Sequence, residues 1–365
     1  MKKIMLVFGT RPEAIKMCPL VWELRGRQGV CARVCVSGQH REMLRGALAA
    51  FGVTPDEDLD LMREGQTLSD ITRGVLTGLA PLLAREALDA VLVHGDTTTA
   101  FAAALACFYA GIPVGHVEAG LRTYDPYNPY PEEFNRRAIA AMAHWHFAPT
   151  EIAQKNLLRE GIAPTRVFLT GNTVVDALRC TVRPDFSHPA LTAAGGRRLI
   201  LLTAHRRESH GAPLCGMLRA IRRAVEERPD IFVLYPVHKN PAAIRAAGEI
   251  LSGCAQICLT DPLGVVEWHN LMARATLILT DSGGMQEEAL ALGIPALVLR
   301  ERTERPEGVA AGGLRLGGVG ERAVYESLTA LLDDPAALAS MRAAKNPYGD
   351  GYAARRIADA LLQPI

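Results

Sequence analysis

Three stretches of the chain carry carboxylates that could do chemistry, two of them where an apolar run gives way to turn residues. His94-Gly95-Asp96-Thr97-Thr98-Thr99 carries Asp96, His116-Val117-Glu118-Ala119-Gly120-Leu121-Arg122 carries Glu118, and Pro131-Glu132-Glu133-Phe134-Asn135-Arg136 carries Glu132. Two of them have an ordinary structural reading: Asp96 as the cap of a helix starting at Thr97, and Glu132 with Glu133 as acids at the positive end of theirs. One such group would need no further explanation. Three acids converging on one crevice suit acid–base chemistry, in which one group takes a proton and another returns it.

Two further stretches suit anions. Gly9-Thr10-Arg11-Pro12-Glu13, with Lys16 one turn on, ends the first apolar run. The glycine permits a tight turn, Pro12 suits the first helical turn, the free amides attract an anion, and Arg11 and Lys16 add two cations. The segment is neither the three-glycine dinucleotide fingerprint nor a P-loop, and an ordinary strand-to-helix turn with solvated charges would look the same. Asp281-Ser282-Gly283-Gly284-Met285-Gln286-Glu287-Glu288 is more specific. A serine and two glycines opening a helix offer amides to a phosphate, and an acid one turn in can accept from ribose hydroxyls. The basic His205-Arg206 is directed at the same crevice, and the plain alternative is a capped helix start with two glutamates at its positive end. Trp268, a few residues past Asp261-Pro262-Leu263, can stack a base from its loop or fill core.

The elements that must position these groups alternate along the whole chain: short apolar runs bounded by turns, then longer amphipathic stretches, which is how parallel strands and crossover helices read. In the first half the strands are expected at Ile4 to Phe8, Arg33 to Ser37, Ala90 to His94, Val114 to Glu118, Trp145 to Ala148 and Val167 to Thr170. In the second they are expected at Leu199 to Ala204, Ile231 to Pro236, Gln256 to Leu259, Leu277 to Thr280 and Ala296 to Leu299, with a helix over Leu214 to Glu227. The fold class is therefore α/β, with two doubly wound Rossmann-like domains facing a cleft, and ligands of such folds bind at the carboxyl ends of strands. The expected domains are residues 1–175 and 190–351, joined by the Pro- and Gly-rich stretch from Arg183 to Arg197. A last helix, within residues 352–365, follows Asn346-Pro-Tyr-Gly-Asp-Gly351 and can return to the first domain.

A chain of 365 residues matches two domains at ~150 residues each. With 49% apolar and 22% charged residues it can bury real cores. Forty basic and 39 acidic side chains leave a formal charge of +1, so no field holds a nucleic-acid backbone or an anionic membrane, and any phosphate must be caught locally. Eight cysteines are too sparse for a disulfide scaffold, and the pairs Cys31/Cys35 and Cys254/Cys258 lack the spacing and histidine partners of a zinc site. A reducing cytoplasm is the expected compartment. The run Ile4 to Phe8 is too short for a signal-peptide core, and no apolar run of ~18 residues is present to span a membrane.

With those residues in hand, the chain resembles the bacterial, non-hydrolysing UDP-N-acetylglucosamine 2-epimerases from its first strand to its last helix. The motifs that carry the resemblance are Phe8-Gly-Thr-Arg-Pro-Glu-Ala-Ile-Lys16, Val93-His-Gly-Asp-Thr-Thr-Thr99, Gly115-His-Val-Glu-Ala-Gly-Leu-Arg-Thr123, His205-Arg-Arg-Glu208, Asp281-Ser-Gly-Gly284 with Gln286-Glu-Glu288, Thr303-Glu-Arg-Pro-Glu307 and Asn346-Pro-Tyr-Gly-Asp-Gly351. The resemblance implies the glycosyltransferase-B type of fold, a homodimer, and reversible conversion of UDP-GlcNAc to UDP-ManNAc for surface polysaccharides. It implies elimination of UDP to a 2-acetamidoglucal and re-addition, with neither a nicotinamide nor a metal.

Carried over by position, Asp96, Glu118 and Glu132 are the implied acid–base groups and His205 supports the departing phosphate. Arg11, Lys16 and Arg136 are implied in binding substrate, with Arg122 another candidate to orient acids or meet phosphate. Ser282, Gly283 and Gly284 are implied to hold the diphosphate, Glu288 the ribose, Trp268 and the backbone near Leu263 the uracil, and Arg305 the nucleotide. Some members need a second UDP-GlcNAc, and the matching positions keep Gln39, Gln66, Arg206 and His238. Glu42 and Gly65, however, stand where those members have glutamine and arginine, which predicts a weakened activator site. Tyr124 and Asn128 also replace the usual glycine and serine. The competing readings are a hydrolysing 2-epimerase releasing UDP and free ManNAc, a glycosyltransferase on the same fold, and a catalytically silent UDP-sugar sensor, which would have lost the acids retained here.

Overall fold

The computed structural model describes residues 1–38, 41–63, 65–204 and 211–363. It divides into two units, one of Met1–Cys180 with Tyr348–Ile365 and the other of Thr181–Pro347. The first is built on β1 (Lys2–Phe8), β2 (Val30–Val36), β3 (Glu57–Asp58), β4 (Ala90–His94), β5 (Val114–Val117), β6 (Trp145–Ala148) and β7 (Val167–Leu169). These pair in the order β3-β2-β1-β4-β5-β6-β7, parallel throughout. The second unit has β8 (Arg198–Thr203), β9 (Ile231–Pro236), β10 (Ile257–Thr260), β11 (Leu277–Thr280), β12 (Ala296–Val298) and β13 (Leu314–Leu316), in the order β10-β9-β8-β11-β12-β13.

Strands covered by helices on both faces must be apolar on both, so they read as unbroken runs rather than alternations. Met5, Leu6, Val7 and Phe8 are all fully buried. The first core packs Met5, Val7, Val91 and Val93 against the helices Leu68–Glu86 and Thr98–Tyr109, and the second packs Ile200, Leu202 and Leu279 against Met217, Ile221 and Val324. In each sheet the strand order reverses at one seam, β1 beside β4 and β8 beside β11, registered Val7 to Val93 and Thr280 to Thr203. Chain connections leave such a seam to opposite faces, opening a crevice at the carboxyl ends of the strands.

Each sheet holds one strand more than the sequence pattern led us to expect. Both extra strands, β3 and β13, are edge strands of two and three residues, too short to carry a periodic signal. The stretch expected to be a linker is also corrected: it is hydrogen-bonded into the second unit. Arg183 N donates to Asn270 Oδ1 at 2.7 Å, Asn270 Nδ2 donates to the Thr181 carbonyl, and Arg274 donates to the carbonyls of Arg183 and Pro184. A short helix, Pro189–Ala194, follows, capped by His188 and ended by Gly195 in the left-handed region. The chain re-enters the first unit at Tyr348, and the helix Ala353–Leu362 buries Ile357 and Leu361 there and takes Lys2 Nζ on the Leu361 carbonyl. Among the described residues no helix is long and apolar enough to cross a membrane.

Candidate functional site

At the end of β1, Thr10 caps the helix Arg11–Arg25 in a capping box with Glu13. Glu13 is 2% exposed and accepts from the amides of Gly9 and Thr10 and the hydroxyls of Thr10 and Thr97, at 2.7 to 3.0 Å. Burial pushes its carboxyl up from the ordinary value, opposed by those hydrogen bonds. This corrects the sequence reading: the Gly9 and Thr10 amides, expected to face an anion, are turned inward onto Glu13. Gly9 itself is required by close approach, since a Cβ there would lie 2.0 Å from Ser37 Oγ. What this turn offers a ligand is therefore side chains, the half-buried Arg11 and the buried Lys16.

Lys16 makes an ion pair with Glu118, which stands just past β5 at φ 62°. An ordinary residue in the left-handed region costs about 1 kcal/mol, and contacts hold this one there. Besides Lys16, Asn172 Nδ2 donates to Glu118 Oε2 at 2.8 Å, and His94 Nε2 lies 3.7 Å from the same oxygen. His94 is buried and without hydrogen-bond partners, and burial lowers its pKa to about 4, leaving it neutral. Asp96, two residues further along, is not a helix cap: Thr97 takes that role with its hydroxyl on Ala100 N. The Asp96 carboxylate instead accepts from Arg136 at 2.7 Å, while Asn135 Nδ2 holds the Asp96 carbonyl and His116 Nε2 lies 2.7 Å from the Gly95 carbonyl.

Glu132 and Glu133 open the helix Glu132–Met142 but separate in role. Glu133 is fully buried, accepts from the amides of Thr123 and Tyr124 at 3.0 and 3.1 Å, and pairs with Arg136 at 3.4 Å. It pins the preceding loop, whereas Glu132 is only half-buried. Arg122 is a correction. Its buried guanidinium is held by both oxygens of Glu160 at 2.7 Å, so it orients none of the three acids. The residues that sequence reasoning missed are Asn172, His94, His116 and Asn135. Asn172 follows the end of β7, and that strand-end position was the only signal available.

In the second unit the helix Gly283–Ala291 begins where β11 ends, with Ser282 at the cap position but making no side-chain capping bond. Helical geometry leaves its first amides without intrahelical partners. The fold does not itself require the two glycines: a Cβ on Gly283 would meet nothing nearer than 3.7 Å and one on Gly284 nothing within 4 Å. Gln286 donates to the Ser282 carbonyl and accepts from Thr303, and buried Glu287 pairs with Arg305 at 2.5 Å. Arg305, expected at the nucleotide, is thus anchored on one edge by a carboxylate. Glu288 is 4% exposed and its Oε2 has no hydrogen-bond partner.

Trp268 is another correction, for it lies within the helix Val265–Met272 rather than in a loop. It is 6% exposed, as its core reading requires, though its Nε1 is buried without a partner. Leu263 is half-buried before that helix. Of the expected activator residues, Gln66 spends its amide within its own loop, donating to the Leu61 carbonyl at 2.6 Å and accepting from Arg63 N at 3.0 Å. His238 is exposed, with Nδ1 accepting from Asn240 N. Gln39, His205 and Arg206 lie outside the described residues. Among the described residues no three His, Cys, Asp or Glu are grouped to hold a metal ion.

A family model described as UDP-N-acetylglucosamine 2-epimerase matches residues 22–362. The UDP-N-acetylglucosamine 2-epimerase of Bacillus subtilis is 52% identical over 99% of this chain and 95% of its own. The chain belongs to the UDP-N-acetylglucosamine 2-epimerase family. A Listeria monocytogenes protein of that description superposes with TM-score 0.96 at 50% identity, covering 99% of this chain and 96% of its own. The Neisseria meningitidis member, solved bound to UDP-GlcNAc, superposes with TM-score 0.92 at 43% identity over 99% of both chains. The architecture reaches past this isomerase family: a glycosyltransferase of kitacinnamycin, 14% identical over 99% of both chains, shares the fold at TM-score 0.65.

Proposed function

We propose that the protein interconverts UDP-GlcNAc and UDP-ManNAc without hydrolysing them. The observation that carries the nucleotide part of this reading is Glu288, an acid one turn into a helix whose cap makes no side-chain bond and whose glycines remain open. Its exposed edge can accept from a ribose hydroxyl while Ser282, Gly283 and Gly284 take the diphosphate. The second unit then supplies nucleotide binding, with Trp268 and the backbone near Leu263 for the base, Arg305 in the nucleotide site and His205 on the departing phosphate. The first supplies Asp96, Glu118 and Glu132 as acid–base groups, with Arg11, Lys16 and Arg136 as the cations that bind substrate.

The proton on C2 of the sugar is not next to a carbonyl, so its removal needs another electron sink. Departure of UDP from C1 provides one: a carboxylate takes the C2 proton, the C–H electrons form the C1–C2 double bond, and the C1–O bond breaks onto UDP. The resulting 2-acetamidoglucal is protonated on the opposite face of C2 as a UDP oxygen returns to C1. The relative bound to UDP-GlcNAc supports the substrate, and the retained acids speak against a silent sensor.

A proton NMR time course with UDP-GlcNAc in heavy water tests this. Solvent deuterium at C2 of a nucleotide-sugar product is expected, whereas free ManNAc with UDP would establish the hydrolysing reaction. Eight unpaired cysteines suit a reducing cytoplasm, and we extend the homodimer of the family resemblance to this chain. Light scattering checks the latter, a monomer refuting it.

A further inference from the structure

Two side chains hold the same oxygen of Glu118, and both can only donate. Lys16 Nζ pairs with Oε2 and Asn172 Nδ2 donates to it at 2.8 Å, while His94 Nε2 lies 3.7 Å from it. Asn172 is 3% exposed and stands between the end of β7 and the helix Thr173–Thr181. Its amide cannot turn over. The Oδ1 atom accepts from Val174 N at 3.0 Å, and a backbone N–H has only a proton to offer, so the oxygen belongs on that side and the NH₂ group on the side of Glu118. The backbone of Asn172 is fixed as well. Its N–H donates to the Tyr348 carbonyl at 2.7 Å, where the chain re-enters the first unit, and a Cβ on Gly349 would lie 3.1 Å from Gly171 Cα.

We infer that Asn172 is a positioning residue for the acid–base step: with Lys16 it engages Oε2 and so makes Oε1 the oxygen on which Glu118 carries the substrate's proton. The inference rests on the reading of Glu118 as an acid–base group. An ammonium and an amide NH₂ accept no hydrogen bond. A proton added to Oε2 would displace one of them and strand a buried donor, whereas a proton on Oε1 leaves both contacts intact. Oε1 lies beside the backbone of Gly95, where a Cβ would come within 3.9 Å of it, one residue before Asp96. The proton taken from substrate bonds to Oε1 and its former bonding pair stays with the substrate; the return step reverses this. Asn172 also fixes the plane of a carboxylate that would otherwise turn about its last bond, and transfer over a hydrogen-bond distance needs that plane held.

Turnover of UDP-GlcNAc by the full chain, with calorimetry of UDP, tests this. Asn172→Ser keeps a hydroxyl able to cap Val174 N but falls short of Glu118. Its kcat should drop about ten- to a hundredfold, the worth of one hydrogen bond to a charged group, with KM and UDP affinity within about twofold. Asn172→Asp keeps shape and cap but sets an acceptor against Oε2, so it should be at least about tenfold slower than Asn172→Ser. A merely structural residue would give the opposite order, the isosteric change being the milder. That order overturns the inference, as does a kcat for Asn172→Ser within about twofold of the unmodified protein. In the background of Glu118→Gln, whose amide carries no substrate proton, Asn172→Ser should cost less than about twofold, and multiplicative losses would also overturn it. Full turnover of Glu118→Gln alone would instead remove the acid–base reading beneath it. Should Asn172→Ser fail to fold, Asn172→Asp carries the test through the same background: the glutamine NH₂ can donate to the new carboxylate, so its loss should vanish there, and a loss that persists refutes.

Discussion

The ion pair between Lys16 and Glu118 ties the helix that follows β1 to the end of β5, and its two side chains are only 8% and 9% exposed. Glu118→Gln keeps the shape and the Asn172 contact but leaves the Lys16 ammonium buried beside a neutral amide. Removing one member of a buried pair costs about 3–5 kcal/mol, far above the ~0–1 of a solvated bridge. In a unit of this size each kcal/mol moves the melting temperature by about 2–4 °C, so a fall of roughly 6–20 °C in the transition of the first unit is expected. Lys16→Met should fall by a similar amount, since it strands the carboxylate.

The double variant discriminates. With both charges gone neither strands the other, and stability should recover well above what the sum of the single effects gives. Turnover should not return, because the proposed acid–base group is absent: a loss of about two to four orders of magnitude is expected for Glu118→Gln and for the double variant alike. Melting curves of the four proteins, with turnover measured well below the lowest transition, complete the cycle. Additive single effects, or a cost under about 1 kcal/mol for Glu118→Gln, would refute the view of this pair as dry and coupled.

Asp96→Asn and Glu132→Gln should each lose about two to four orders of magnitude in turnover with UDP affinity little changed, whereas Glu133→Gln should mainly destabilise, because its carboxylate holds the Thr123 and Tyr124 amides; unchanged turnover in either of the first two removes that residue from the catalytic set. Gly283→Val should abolish UDP binding in calorimetry while the fold survives, since a Cβ there meets nothing nearer than 3.7 Å, and unaltered affinity would put the phosphates elsewhere. Burial lowers the pKa of His94 and His146 to about 4 and of His116 to about 3. The unfolded chain therefore binds more protons below about pH 6.5, and urea-unfolding free energies should fall steadily from there to about pH 4; a flat profile over that window would refute it. The reverse reaction from UDP-ManNAc alone should start without a lag and gain nothing from trace UDP-GlcNAc, given the departures at Glu42 and Gly65 and the internal engagement of Gln66. A lag abolished by that trace would show a working activator site, and Gly65→Arg is a poor restoring change because Gly65 sits at φ 72°.

Much of the architecture is legible without coordinates. A parallel strand covered on both faces must be apolar along its length, so Ile4 to Phe8 and Leu277 to Thr280 declare themselves by composition, and the turn residues after them mark where ligands belong. The capping box of Thr10 and Glu13 is local yet not legible, because a turn with free amides suits an anion as well as it suits a glutamate.

What the sequence could not decide is which polar group meets which. On paper Asp96 is the cap; in the fold Thr97 takes that place, and Arg136, 40 residues away, holds the Asp96 carboxylate. Glu132 and Glu133 are adjacent and alike, yet helix phase buries one and leaves the other half-exposed. Arg122 is claimed by Glu160 and Glu118 by Asn172, 38 and 54 residues on. Residue periodicity records only the face a side chain turns toward. The order in which strands assemble sets what waits there, and pairings across tens of residues exist only once β1 lies against β4 and β8 against β11.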